Sequence, residues 1–441
     1  MLRVYANLQI FLVFFAVFLL SGCISLGGYG GPWGQKDNAG IVTSNPENLP
    51  NMAWQTEKQR KMLAEQNLAI ANQAAAAAAP ATAEEGNAAA APSRKTTVTL
   101  LLPLSGKKSA LGQSMLKAAQ MALFDIGSAN FELVPRDTKS TKEGAVAAAT
   151  AAINAQTDLI LGPVFADDLK AVKPLAGNAG VPVISFTTDW TLGGDNTYIM
   201  GFLPFAQVTR VAKYAQDRGY SRFAVYAPQT EYCDAVINTL QDSGISVVHV
   251  NRYSPQQPDL AALVQDFAAT SKDAAASGAL DFDALMLPLG SEGLRTLVST
   301  LGSNGISQPK VKFVGTGLWD DATLTGDPML FGGWFAAPDP ALRADFEKRF
   351  QENFGSVPLR LSSLAYDATA LAAVLARTAS EDSSPYTQEA LTNPRGFAGI
   401  DGIFRFRADG ISERGLAVLE IRSGKPKVID RAPTAFIASE S

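Results

Sequence analysis

Nucleophiles, general bases and metal ligands are scarce in this sequence. Among 441 residues there is one histidine, His249, and there are two cysteines, Cys23 and Cys233. Those numbers exclude a Cys/His zinc site, a disulfide scaffold and most histidine-based catalysis. Ser105-Gly106-Lys107-Lys108 and Ser307-Gln308-Pro309-Lys310 each fit a Ser-x-x-Lys pattern. No Lys-Thr-Gly accompanies them, and Ser105 falls at a strand end rather than opening a helix, so both read as chance matches. Ser423-Gly424-Lys425 lacks the upstream glycine of a phosphate loop, Leu419 standing there. Gly315-Thr316-Gly317 lacks the third glycine of a dinucleotide fingerprint. His249 alternates with Val248 and Val250 and is expected to face outward. Cys233 opens a helical segment, where a thiolate is favoured, but a packed small side chain is the simpler reading. Asp320-Asp321 reads as a helix cap. The sequence therefore predicts binding rather than catalysis, with no cofactor and no metal.

The net charge of −5 argues against a nucleic-acid partner, which would need an excess of Lys and Arg. The chain is 47% hydrophobic, enough for a substantial core. Behind Arg3 lies an apolar run from Ile10 to Leu20. As a helix it would rise only about 16 Å, too short for a bilayer core of about 30 Å. It reads as a signal-peptide segment, 1–22. The run ends in Leu20-Ser21-Gly22-Cys23, which resembles the bacterial lipobox, whose cysteine is lipidated and becomes the new N-terminus. That resemblance implies a mature chain beginning at Cys23, outside the cytoplasm, with Cys233 left as a lone thiol. Ile24 follows, not the Asp that retains such lipoproteins at the inner membrane. The resemblance thus implies the periplasmic face of the outer membrane.

Residues 23–95 read as a tether. Fourteen of the twenty-three residues 69–91 are alanine, interrupted by Pro80 and Gly86, and such sequence buries little. Met52 to Gln73 is rich in helix formers. As a coil, some seventy residues span about 45 Å on average and at most about 240 Å. That length suits a protein that reaches away from its own membrane.

After Lys95 short apolar runs alternate with segments of helical periodicity. Strands are expected at 98–102, 131–135, 159–161 and 183–185, with helices at 109–126, 142–154 and 167–176 between them. A second series follows from Phe205. Its helices are expected at 205–218, 233–242, 260–270 and 292–301, and its strands at 223–226, 246–250, 284–287 and 311–315. Helices over 341–354 and 363–379 precede a β-rich end around 402–406 and 417–421. This pattern predicts an α/β fold of two doubly wound, mainly parallel sheets. A ligand would then sit at the strands' carboxyl ends, in a cleft between two lobes.

Leu100-Leu-Leu-Pro-Leu-Ser-Gly106 with Leu111-Gly-Gln113 resembles the opening of the type I periplasmic-binding-protein (Leu/Ile/Val-binding-like) fold. More narrowly, it resembles the outer-membrane lipoproteins that activate penicillin-binding proteins. Leu159–Val164, Val181–Ser185 and Phe397–Phe406 match further strands of that fold, so the likeness covers nearly all of 96–431. It implies lobe 1 at about 96–203 plus 337–395, lobe 2 at about 204–336 plus 396–431, and a tail at 432–441. The narrower likeness implies a non-enzymatic lipoprotein that activates a peptidoglycan synthase, its partner being a bifunctional penicillin-binding protein. The alternative is a small-ligand receptor for an ABC importer or a sensor. The helical-repeat domain of the activators has no counterpart here.

Amino-acid-binding members of the fold hold their ligand with two hydroxyls, a carboxylate and an aromatic ring. The matching positions are Ala166, Asp189, Gly317 and Tyr232, so the resemblance implies a much-altered pocket. The cleft candidates are Ser105, Gly112 and Gln113 at the first strand-to-helix turn, where backbone N–H groups could hold an anion. To these are added Pro163, Thr187, Thr188, Asp189, Tyr232, Trp319 and Tyr366 at the rim.

Overall fold

The computed structural model describes residues 95–436 apart from 128–129, 257–258, 273–278, 325 and 381–382. Cys23, the leader and the Ala-rich segment lie outside the described residues, as does the chain beyond 436. No helix among the described residues is long and apolar enough to cross a membrane.

The first sheet has the order β2-β1-β3-β4-β5. Its strands are β1 (Thr96–Leu102), β2 (Phe131–Asp137), β3 (Leu159–Leu161), β4 (Val183–Ser185) and β5 (Thr197–Ile199). All its pairings are parallel, with Leu100 opposite both Pro135 and Leu161. A parallel sheet needs a crossover between successive strands. Here the crossovers include α1 (Ser109–Ile126), α2 (Lys142–Asn154) and α3 (Ala166–Asn178). The α2 start is fixed by Thr141, whose hydroxyl accepts from the Gly144 N–H at 3.0 Å. The sheet buries Val98, Leu100, Leu159, Leu161 and Ile184. Gly112 lets α1 lie close to the end of β1, since a Cβ there would sit 2.2 Å from the Pro103 carbonyl oxygen.

The second sheet has seven strands in the order β15-β14-β10-β9-β8-β6-β7. β6 (Arg222–Pro228), β7 (Ser246–Tyr253), β8 (Ala284–Met286), β9 (Lys312–Gly315) and β10 (Trp334–Ala337) run parallel. β14 (Ala417–Glu420) and β15 (Lys427–Asp430) add an antiparallel edge. The helices of this lobe are α4 (Pro204–Gln216), α5 (Glu231–Asp242), α6 (Leu260–Thr270) and α7 (Ser291–Ser303). β7 is an edge strand, and its pleat puts Val248 and Val250 outward at 39% and 40% exposure. That corrects the expectation for His249, which turns inward beside Phe267 and Phe282, its Nε2 2.8 Å from Asp281.

The chain leaves lobe 1 after β5, at 200–203, and returns after β10, at 338–339. α8 (Pro340–Phe354) and α9 (Ser362–Thr378) belong to lobe 1, α9 packing along α1. The short α10 (Gln388–Leu391) leads to a small antiparallel sheet of β11 (Phe397–Gly399), β12 (Gly402–Phe406) and β13 (Ser412–Arg414). The expected return to lobe 2 at 396 is corrected here. Phe397, Phe404 and Phe406 are buried in the core of lobe 1, and the ring of Phe406 lies 5.3 Å from that of Tyr198. The final crossing comes after Arg414. From there the chain enters β14, and Pro433 and Phe436 pack back against Gly415 and Gly396.

Candidate functional site

A cavity of about 730 Å³ lies between the lobes at the carboxyl ends of both sheets. The segments following β3 and β4 contribute Phe165, Ala166 and Phe186–Thr191. The first crossing contributes Phe202, and the turn before α9 contributes Arg360 and Leu361. From lobe 2 come Gln207 of α4, Glu231 and Tyr232 of α5, and Gly317, Leu318 and Asp320 beyond β9. A larger, more open cavity of about 1040 Å³ adjoins it along α4 and α5, sharing Asp189, Trp190, Thr191 and Glu231. Its charges largely cancel: Lys170 lies 3.4 Å from Asp189, Lys213 lies 3.7 Å from Asp217, and Arg210 lies 3.0 Å from Asp430. The smaller cavity lies where doubly wound sheets hold ligands, and both lobes supply its walls.

Of the residues expected in the cleft, Thr187, Thr188, Asp189 and Tyr232 line it. Tyr232 donates its hydroxyl to Thr316 Oγ1 at 2.8 Å, while burial pushes the phenol up to about 12. Asp189 Oδ1 accepts from Thr191 Oγ1 at 2.6 Å and from its N–H at 3.2 Å. Ala166 and Gly317 also face the cavity, so the hydroxyl and carboxylate of the amino-acid pocket are absent at those positions.

The other candidates stand elsewhere. At the first turn, the N–H groups expected to hold an anion already have one. Asp137 Oδ1 accepts from the N–H groups of Leu104 and Ser105 at 2.9 and 3.1 Å, and Oδ2 from the Ser105 hydroxyl at 2.5 Å. Burial opposes the charge, but these bonds and one from Lys139 N–H hold the Asp137 carboxyl below its ordinary range. Gln113 closes the same turn by donating to the Leu104 carbonyl at 3.0 Å. Gly112 serves the helix–strand approach already described. The Pro163 carbonyl accepts from the Ser185 hydroxyl at 2.8 Å and from Phe186 N–H at 3.0 Å, tying β3 to β4.

Trp319 and Tyr366 are core residues, not rim residues. Trp319 is fully buried and donates Nε1–H to the Leu289 carbonyl at 3.1 Å. Tyr366 is buried within lobe 1 and donates to Asp125 Oδ2 at 2.7 Å, the oxygen that Arg349 also holds at 2.9 Å. A large aromatic side chain after a strand, as Trp319, or within a helix, as Tyr366, looks alike in sequence whether it faces a cleft or a core.

Sequence reasoning missed three charged residues of the cleft: Glu231 at the start of α5, Arg360 and Asp320. Arg360 stacks at 4.0 Å over Phe202, and its Nη1 lies 3.1 Å from the wholly buried Asp401. Asp320 faces the cleft, and Asp321 accepts from Thr323 N–H at 2.8 Å within a turn, not at the helix start that the sequence suggested. Desolvation raises the Asp320 carboxyl; Arg360 and Arg343 draw it down, and Asp401 and Glu347 push it up. An acidic pair after a strand gave a visible signal for Asp320, but nothing local marks Arg360.

Cys233 is buried on α5, its Sγ directed at the Pro288 carbonyl at 3.6 Å. Burial raises the thiol in spite of the helix start and the Thr230 bond. Native protein treated with iodoacetamide at pH 7.5 should leave the Cys233 peptide unalkylated by mass spectrometry, and guanidinium should expose it. Alkylation of Cys233 in the native protein would contradict this packing. Among the described residues no group of three or more His, Cys, Asp or Glu side chains is placed to hold a metal.

Residues 95–426 match the family model described as periplasmic binding protein. Solved structures of similar fold include a substrate-binding protein of an ABC transporter from Sphaerobacter thermophilus. It is 18% identical with a TM-score of 0.58, over 77% of this chain and 98% of that one. Another, from Desulfitobacterium hafniense in complex with Leu, is 19% identical with a TM-score of 0.56, over 76% and 99%. A solute-binding protein from Rhodopseudomonas palustris BisB5, in complex with 3,4-dihydroxybenzoic acid, is 15% identical with a TM-score of 0.54, over 78% and 98%. An uncharacterized protein of Rickettsia prowazekii (strain Madrid E), RP748, is 21% identical over 149 residues. That match spans 34% of this chain and 40% of the relative. With three quarters of its length on the family model and two parallel-sheet lobes around a cleft, the chain belongs to the periplasmic binding protein family.

Proposed function

We propose that this chain is a non-enzymatic solute receptor of the bacterial envelope, anchored by a lipid on Cys23. The carrying observation is the 730 Å³ cavity between the lobes, walled by polar and aromatic side chains from both. Three crossings join the lobes, at 200–203, 338–339 and 415–416, which permits closure by small rotations. The lipobox and the leader support an extracytoplasmic location, and Ile24 favours the outer membrane. The solute-binding proteins among its structural relatives support the receptor reading over the other one.

The synthase-activator reading retains support from the tether and from the Leu100–Gly106 opening. On that reading the same domain docks on a bifunctional penicillin-binding protein. The two separate by experiment. A ligand at a hundred times its Kd should raise the unfolding free energy by about 2.7 kcal/mol. A thermal-shift screen of amino acids, amides, amines, aromatic acids and muropeptides should therefore contain at least one stabilising compound. Stabilisation by none of them, together with faster glycan polymerisation by the synthase in the protein's presence, would reverse the order of the two readings.

A further inference from the structure

The charges lining the interlobe cleft do not balance. Asp189 is met by Lys170 at 3.4 Å. Arg360 is met by Asp401 at 3.1 Å, and its guanidinium already lies over the Phe202 ring. That leaves Glu231, the first residue of α5, and Asp320, beyond β9. Both are exposed, and among the described residues neither side chain has an ion pair or a hydrogen-bond partner, although the Arg360 and Arg343 charges act on Asp320. Both belong to lobe 2, and both line the cavity. Phe165 and Tyr232, half-buried rings, line it too, and aromatic faces attract cations.

Several donors at the cleft are committed within the protein. The Gly317 N–H is given to Gln207 Oε1 at 2.7 Å. The Thr191 and Tyr232 hydroxyls donate to Asp189 and Thr316. Ala166 has no hydroxyl to offer. A ligand carboxylate would meet Arg360 but also three carboxylates, Asp189, Glu231 and Asp320, on the same lining, and that like-charge excess disfavours it.

We infer that the cleft takes an organic cation, an amine, guanidine or quaternary ammonium compound, whose charge is held by Asp320 and Glu231. This deepens, and rests on, the receptor reading. The ligand supplies the counter-charge that the lobe 2 wall lacks, and its apolar part lies against Phe165, Leu318 and Leu361. Asp320 is raised in spite of Arg360 and Arg343, so a further cation beside it favours the ionised form and a second carboxylate opposes it.

The test is calorimetric titration of the full chain, purified in detergent, with choline, putrescine and agmatine on one side and leucine, glutamate and benzoate on the other. At least one cation should bind. D320N should weaken it at least tenfold and E231Q severalfold, with near-UV circular dichroism showing both variants folded. A cation whose affinity neither substitution changes would overturn the assignment. Binding of leucine, glutamate or benzoate but no cation would overturn the ligand class and leave the receptor reading standing. No binding by any of the six, or by any compound of the thermal-shift screen, would overturn both.

Discussion

Replacing Trp319 with alanine should lower the unfolding free energy by about 3–5 kcal/mol, near the top of the range for a single core truncation. The indole is fully buried in the core of lobe 2, with the Phe335 ring 6.4 Å away. Its ring lies against Gly315: a Cβ on that glycine would be 2.1 Å from Trp319 Cε2. Gly333 makes a similar approach, at 2.8 Å from Cζ3. The sheet has left space for the ring by omitting two side chains, so alanine would leave a large void. The Leu289 carbonyl would also lose its donor. Urea unfolding at neutral pH measures the loss, and a change below about 1 kcal/mol would show that the site collapses around alanine. Gly317, Leu318 and Asp320 of the cleft wall flank the tryptophan in sequence, so ligand affinity should fall with stability. The converse change, Gly315→Ala, crowds the ring and should cost about 1–3 kcal/mol.

Trp319 also shows where the sequence stops being informative. Its position after a strand was legible, but its direction was not, because a tryptophan that fills a glycine-lined hollow carries the same local pattern as one on a rim. The longer elements were legible for physical reasons. α1 and α2 repeat apolar residues at helical spacing, and Thr141 supplies a cap. β3 is a continuous apolar run, and β4 is one but for the buried Ser185, as suits strands covered on both faces. β5 and β13 escaped because neither Thr-Tyr-Ile nor Ser-Glu-Arg is the kind of apolar run that marks β3, and β10, though apolar, escaped as well. The last lobe crossing was misplaced because three phenylalanines at 397, 404 and 406 could pack on either lobe. Thr187, Thr188, Asp189 and Tyr232 were legible as cleft residues because they follow strand ends. Arg360 was not: it reaches the cleft from the turn between α8 and α9, and its anchor Asp401 is forty-one residues further on.

Between pH 4 and 7 the protein should lose stability as pH rises, and D367N should remove much of that slope. The Asp367 side chain has no solvent exposure. Its Oδ1 accepts from the Ile400 N–H at 2.7 Å, and its Oδ2 lies 4.0 Å from Arg414 Nη1. Burial, with the charge of Asp401 adding to it, raises the carboxyl to about 7, against the pull of Arg414. Asp401 goes the other way: burial opposes its ionisation, but Arg360, Arg414, the Ser363 hydroxyl and Arg343 hold it low. The unfolded chain releases the Asp367 proton near the ordinary carboxylate value of about 3.9. Between these two values the folded state binds more protons than the unfolded state, so raising pH favours unfolding. The contribution is complete below about pH 4 and gone above about pH 7, a loss on the order of a few kcal/mol. Asp168 and Asp320 are raised as well and add slope of the same sign, so the difference between wild type and D367N isolates Asp367. Asn keeps the Ile400 bond and cannot ionise. Denaturant midpoints at pH 5 and pH 8 should therefore converge in the variant, and equal slopes in both proteins would refute the assignment. The cluster links two of the crossings to the cleft: Arg414 stands at the last crossing and donates to the Met200 carbonyl of the first at 3.2 Å, while Arg360, on Asp401, lines the cleft. Charge at Asp367 thus lies beside two lobe crossings, and D367N should also flatten any change in ligand affinity between pH 5 and 8.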